Sequence, residues 1–149
     1  MPAELATDFA NAIAEIESAL FATPGILADV PWRAGGWTRK QIVGHLLDSA
    51  TNNRQRFVRA ALDGSYCGPQ YEQQQWIDAH GYADQPWAKL LAWWKCEQEI
   101  LVAVVSRIPA ERLGALCVVG EDVPVTLEFL IRNYLSHQRG HLDQIRSAE

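Results

Sequence analysis

The sequence predicts an all-α protein: a single-domain four-helix bundle over residues 1–149, with crossover connections and one short extra helix. Four stretches carry apolar residues at the 3.6-residue period, while alternation with period two is nearly absent. Each stretch keeps a polar side, so its apolar stripe is satisfied only by packing on the others. The chain has 149 residues, 48% of them hydrophobic and 21% charged. A chain of this size buries about 70% of its unfolded surface in one core, without staples.

The first helix is expected from about Ala3 to Phe21, with Leu5, Phe9, Ala12, Ile13, Ile16 and Leu20 on one face and Thr23, Pro24 and Gly25 ending it. After a loop containing Pro31, Gly35 and Gly36, Thr38 and Gln41 form a capping box that opens a helix to about Leu62, stopped by Asp63 and Gly64. Tyr71 to Ala79 reads as the short helix, with His80 in a cation-capable last turn and Gly81 as a left-handed stop. Asp84 caps the third long helix, which has Pro86 in its first turn and runs to about Ser106 before Pro109. Its buried face holds Trp87, Leu90, Leu91, Trp94, Leu101, Val102 and Val105.

From Pro109 to Pro124, turn residues surround a short apolar piece, Cys117 to Val119, which is extended or a packed connection; no sheet is predicted from it. Thr126 opens the last helix, which buries Leu127, Leu130, Ile131, Tyr134, Leu135, Leu142 and Ile145. The loops after the first and third long helices leave room for crossovers. Internal repeats, low-complexity tracts and domain linkers are absent.

Thirteen Lys and Arg against 18 Asp and Glu give a net charge of −5. That balance lacks the positive excess needed to neutralise phosphates, so nucleic acid is not an expected partner. Before Trp32 there are five acids and no Lys or Arg, which excludes a signal peptide there. No apolar run approaches the ~20 residues of a membrane span, so no membrane partner and a cytoplasmic location are expected. Cys67, Cys96 and Cys117 are odd in number and widely spaced, which predicts reduced, structural thiols.

Chemistry concentrates in the histidines. His137 and His141 are one helical turn apart and project within ~40° of each other, so both imidazoles can converge on one ion. They sit at the edge of the apolar arc, and His45 supplies a candidate third ligand from the second long helix. Spacing alone leaves two readings open: a metal site, or core histidines bonded to carbonyls.

Asp48, Ser49, Asn52 and Arg56 share a polar stripe with His45. Asp48 is the acid–base candidate, with an ion pair or a cap as the alternative. Asn52, Arg56, Gln98 and Tyr134 are candidates to bind substrate or orient the ligands. Arg56 bordering a cavity could hold a substrate carboxylate, although Arg54, Arg56 and Arg59 together also read as a solvated face. Gln98 lies on the apolar face of its helix and needs a partner there. Trp32, Trp37 and Trp76 lie in or near loops, rimming a pocket or packed under the loops.

The run Gly36-Trp37-Thr38, Ile42 to Ser49, Asn52, Asn53 and Arg56 to Arg59 resembles the second-helix signature of the DinB/YfiT-like superfamily. Trp76, Gly81, Tyr82, the Trp-rich third long helix, Ile108-Pro109, Thr126-Leu127 and Tyr134 to His141 then follow in the family's order, so the resemblance covers nearly the whole chain. It implies a bundle in which His45, His137 and His141 bind one divalent metal, with open positions for water or substrate. Relatives with this signature often carry Glu where Ala50 stands and a further His where Gly140 stands. Neither is one of the three ligands, but both remove an extra acid or base.

Three neutral imidazoles leave a divalent ion its full charge and at least one vacant position, as in catalytic sites. The resemblance implies a metal-dependent enzyme, either a hydrolase activating water or a transferase using a low-molecular-weight thiol. Zinc or nickel is the expected ion, with manganese or iron as alternatives, and the partner is a small-molecule substrate. The rival class is a non-catalytic metal-binding or stress-response structural bundle. Off-stripe Trp93, Ile100 and Val104 predict a homodimer in either case.

Overall fold

A computed structural model describes residues 2–147. Its long helices are α1 (Pro2–Phe21), α2 (Arg39–Asp63), α4 (Trp87–Ser106) and α5 (Leu127–Ile145), with a short α3 (Gln73–His80) between the second and third. The predicted all-α bundle with one extra helix is what the chain forms. The local signals act as written: Thr38 and Gln41 close both halves of a capping box, Thr126 Oγ1 accepts from Phe129 N–H, and Gly64 and Gly81 end α2 and α3 at positive φ.

The helices do not follow an up-and-down order. α1 packs chiefly on α4 and α5, and α2 packs on the same two, so the links from α1 to α2 and from α4 to α5 cross the bundle. The stripes predicted for α1 (Leu5 to Leu20), α4 (Leu90 to Val105) and α5 (Leu127 to Ile145) meet in one core with Ile42, Leu46 and Phe57 of α2. No helix among the described residues is long and apolar enough to cross a membrane.

Two expectations need correction. The connection after α4 does build a sheet: β1 (Ser65–Gly68) pairs in parallel with β2 (Leu116–Val119), which pairs antiparallel with β3 (Val125–Thr126). On one side Cys117 pairs with Tyr66 in a distant strand of only four residues, too short for its period to be read from the sequence. The residue at the start of α4 is also different. Asp84 lies in a 3-10 turn, and Pro86, extended at φ −61° and ψ 139°, is the cap; it has no side-chain acceptor to offer.

Arg39 ties the ends of α2 and α5 together. It is 1% exposed, and its guanidinium donates to the carbonyls of Val30 and Pro31 before α2 and of Ile145 and Ser147 at the end of α5. A cation at a helix C-terminus is favourable, and here it also satisfies carbonyls that the helix leaves unpaired.

Candidate metal centre

α2 and α5 lie side by side, and this adjacency brings together residues 92 positions apart. His45 Nε2 and His141 Nε2 each lie 3.1 Å from His137 Nε2. That spacing is close to the edge, about 3.3 Å, of a tetrahedron of nitrogens 2.0–2.1 Å from one ion. His45, His137 and His141 are the group of described residues that offers three ligand atoms to one ion.

Electrostatics favours the neutral rings. Burial, then the neighbouring imidazoles His141 and His137, lowers the His45 pKa to about 3; burial and His141 lower His137 to about 4. Burial also lowers His141, partly offset by its hydrogen bond to Gln144. Nδ1 of His141 is 2.8 Å from Oε1 of Gln144, an acceptor, so that nitrogen carries the proton and Nε2 presents a lone pair. Converging neutral nitrogens of this kind fit a divalent cation. The Trp37 ring covers the cluster, 5.0 Å from His45 and 6.4 Å from His141 between centroids, and its indole N–H is fixed by Gln74.

One turn along α2, Asp48 is buried against α3 and the turn after it. Tyr82 O–H donates to Oδ1 at 2.6 Å, and His80 Nδ1 approaches the same oxygen at 3.3 Å; Oδ2 is buried without a partner among the described residues. Burial pushes this carboxyl above its ordinary range, against the pull of Tyr82 and His80. Gly44 makes the arrangement fit, because the Tyr82 ring lies where a Cβ at that position would stand.

Beside the histidines opens a cavity of about 340 Å³. Ser49, Asn53 and Arg56 of α2, Tyr71, Tyr134 and His137 form its polar wall; the sheet contributes Cys117, Val119 and Val125. Of the residues singled out from sequence, Arg56, Tyr134 and His137 line this space. Asn52 does not; its amide donates to the Asp48 backbone carbonyl. Asp48 is outside the lining as well. Gln98 is wholly buried and finds its partner in Tyr134, whose hydroxyl donates to Oε1 at 2.6 Å. That hydroxyl in turn accepts from Gln138, and Gln138 Oε1 accepts from Trp94, which makes a polar chain through the core.

Gln144, Gln138, Asn53, Tyr71 and Tyr82 were not singled out as site residues. Gln144 was findable, since it lies one turn beyond His141; Tyr71 and Tyr82 come from connections whose placement no helical period encodes.

A family model described as the DinB superfamily matches residues 3–145. The chain belongs to the DinB superfamily. Within the superfamily's helical frame, Ala50 is buried and a Cβ at Gly140 would meet nothing within 4 Å.

Two solved structures share the DinB-like fold. YfiT from Bacillus subtilis, described as a probable metal-dependent hydrolase with an unusual four-helix bundle topology, is 21% identical with a TM-score of 0.82, over 97% of this chain and 83% of that one. The mycothiol-dependent maleylpyruvate isomerase is 10% identical with a TM-score of 0.80, over 99% of this chain and 62% of that one. At these identities the likeness is one of fold. Proteins of Bacillus mycoides and Bacillus cereus named "putative metal-dependent hydrolase" are 36% identical over 50 residues, 34% of this chain and 29% of theirs. The matched stretch thus spans less than a third of those relatives' length.

Proposed function

We propose that this DinB-superfamily protein is a metal-dependent enzyme acting on a small molecule, with His45, His137 and His141 holding one divalent cation. The convergence of three Nε2 atoms beside a cavity carries the reading. A zinc or nickel ion supplies Lewis acidity there, lowering the pKa of a water or a thiol that binds to it. The names of the relatives support hydrolysis, and the fold shared with a mycothiol-dependent isomerase keeps thiol transfer as the second reading.

The chain's own groups then have distinct parts. Gln144 holds the His141 tautomer, and Trp37 keeps solvent off one side of the rings. Arg56 offers donors to a substrate in the cavity, and Tyr134, whose hydroxyl donates to Gln98 and accepts from Gln138, fixes the polar wall behind it. Asp48, with Oδ2 unengaged, is the group proposed to hold a proton near the site, and Asn52 steadies its helical turn. Independently of the chemistry, we propose a cytoplasmic homodimer paired through the exposed Trp93 and Ile100 of α4, and light scattering tests the pairing.

The deciding experiment is elemental analysis of protein purified without an affinity tag or chelator, beside a His137→Ala/His141→Ala double variant. About one equivalent of metal, lost in the variant while the helical spectrum persists, is the expected result. Native protein that holds no metal and takes up neither added zinc nor nickel would overturn the reading.

A further inference from the structure

Arg56 is placed differently from Arg39, the other buried arginine among the described residues. It is 8% exposed and lines the cavity, yet among the described residues its guanidinium makes one hydrogen bond, from Nη2 to the Pro69 carbonyl at 3.4 Å, and no ion pair. Arg39, by contrast, engages four carbonyls, and Arg54 pairs with Glu97 at 2.8 Å. A guanidinium has five N–H donors, and leaving most of them without a protein acceptor in a buried position is costly.

The acids near the cavity do not neutralise it. Among the described residues neither forms an ion pair with Arg56: Asp48 lies outside the lining with Oδ1 held by Tyr82 and His80, and Asp122 at the rim accepts from Gln70. The remaining lining divides into a polar side, with Tyr71 and Asn53, and an apolar side, with Val119, Val125 and Leu130. A cavity of about 340 Å³ suits a molecule of metabolite size.

We propose that Arg56 makes this cavity a binding site for a small monocarboxylate, whose carboxylate seats on the guanidinium and whose body lies along the apolar wall toward His137. Planar bidentate pairing is what a guanidinium offers a carboxylate. The lining holds one guanidinium and its other side is apolar, so a second anionic group on the ligand would find no partner there except a cation held by the histidines. The inference rests on the reading of the cavity as the substrate site, and it assigns that substrate's class.

The test uses zinc-loaded protein and titrates benzoate and propionate against benzamide and propionamide by calorimetry, with inorganic phosphate as a further probe. Expected is an acid-over-amide preference of about tenfold or more, the discrimination of one charge-assisted pair. Arg56→Gln abolishes the preference, Arg56→Lys retains part of it, and both keep the zinc content and melting profile of the parent. Equal binding of acid and amide, a preference unchanged in Arg56→Gln, or phosphate bound more tightly through Arg56 overturns the proposal.

Repeating the titration on chelator-treated protein separates the two readings. An Arg56-dependent preference that persists without metal belongs to the guanidinium, whereas a preference that disappears with the metal and ignores Arg56 belongs to the cation. Protein that takes up no zinc but keeps the Arg56-dependent preference leaves this inference standing and removes the metal reading alone.

Discussion

Gln144 accepts the Nδ1 proton of His141 at 2.8 Å, and this single contact decides which nitrogen of His141 faces the other two rings. Replacing Gln144 with Leu removes the acceptor and frees the ring to rotate or change tautomer. Zinc affinity should fall about 10- to 100-fold, the range seen when such orienting partners are lost. Competition against a chromophoric chelator measures it; an unchanged affinity would show that packing alone holds the ring.

The histidine cluster gives the metal-free protein a stability that depends on acidity. Burial lowers His45 and His137 to about 3 and about 4 in the folded protein, below the ordinary histidine value of 6.5, so below pH 6.5 the unfolded chain binds more protons than the native one. Stability should therefore decline as pH falls from about 6.5 to 4, by up to about 1.4 kcal/mol per pH unit for each ring. Asp48 acts in the opposite sense, because its raised folded pKa favours the native state on acidification. Urea titrations between pH 7 and 4.5, on protein with and without the His137→Ala/His141→Ala change, resolve the histidine share.

Arg39→Met should be among the most damaging single changes in the chain. It leaves the carbonyls of Val30, Pro31, Ile145 and Ser147 without their donor. A loss of about 3 kcal/mol or more is expected from several buried groups left unpaired, read as a lower denaturation midpoint. Metal affinity should fall with it, since Arg39 fixes the ends of both helices that carry the three histidines.

Gly44→Ala tests the seat of Tyr82. The added methyl group enters the volume of the Tyr82 ring, so the ring must move and release Asp48 Oδ1. A destabilisation of about 1–3 kcal/mol is expected from the overpacking. The Asp48 carboxyl should also titrate at a higher pH, followed by carbon-detected NMR, because one bond that favours its charged form is gone.

Much of this architecture is written in local patterns. The 3.6-residue stripes, the Thr38–Gln41 box and the Thr126 cap each act within one turn, so a single chain is enough to find them. The histidines were legible for the same reason: His137 and His141 share a face at i and i+4, and His45 heads a polar stripe.

Contacts that depend on where connections land were hidden. The β1–β2 register joins Tyr66 to Cys117 across 51 positions, Tyr71 reaches the cavity from a loop, and Tyr82 reaches Asp48 from a 3-10 turn. Asn53, not Asn52, lines the cavity, because one residue turns a helix by about 100° and the stripe's edge falls between them.

The crossed order of the helices has a consequence for the protein's birth. α1 is the first of the long helices to leave the ribosome, but the surfaces that cover Leu5, Phe9 and Ile16 belong to α4 and α5, whose last turn is Ile145. At ordinary rates of synthesis its apolar stripe waits on the order of ten seconds for a partner. Its acidic outer face, with Glu4, Asp8, Glu15 and Glu17 and no Lys or Arg before Trp32, gives the nascent helix a repulsive coat that discourages premature association during that interval.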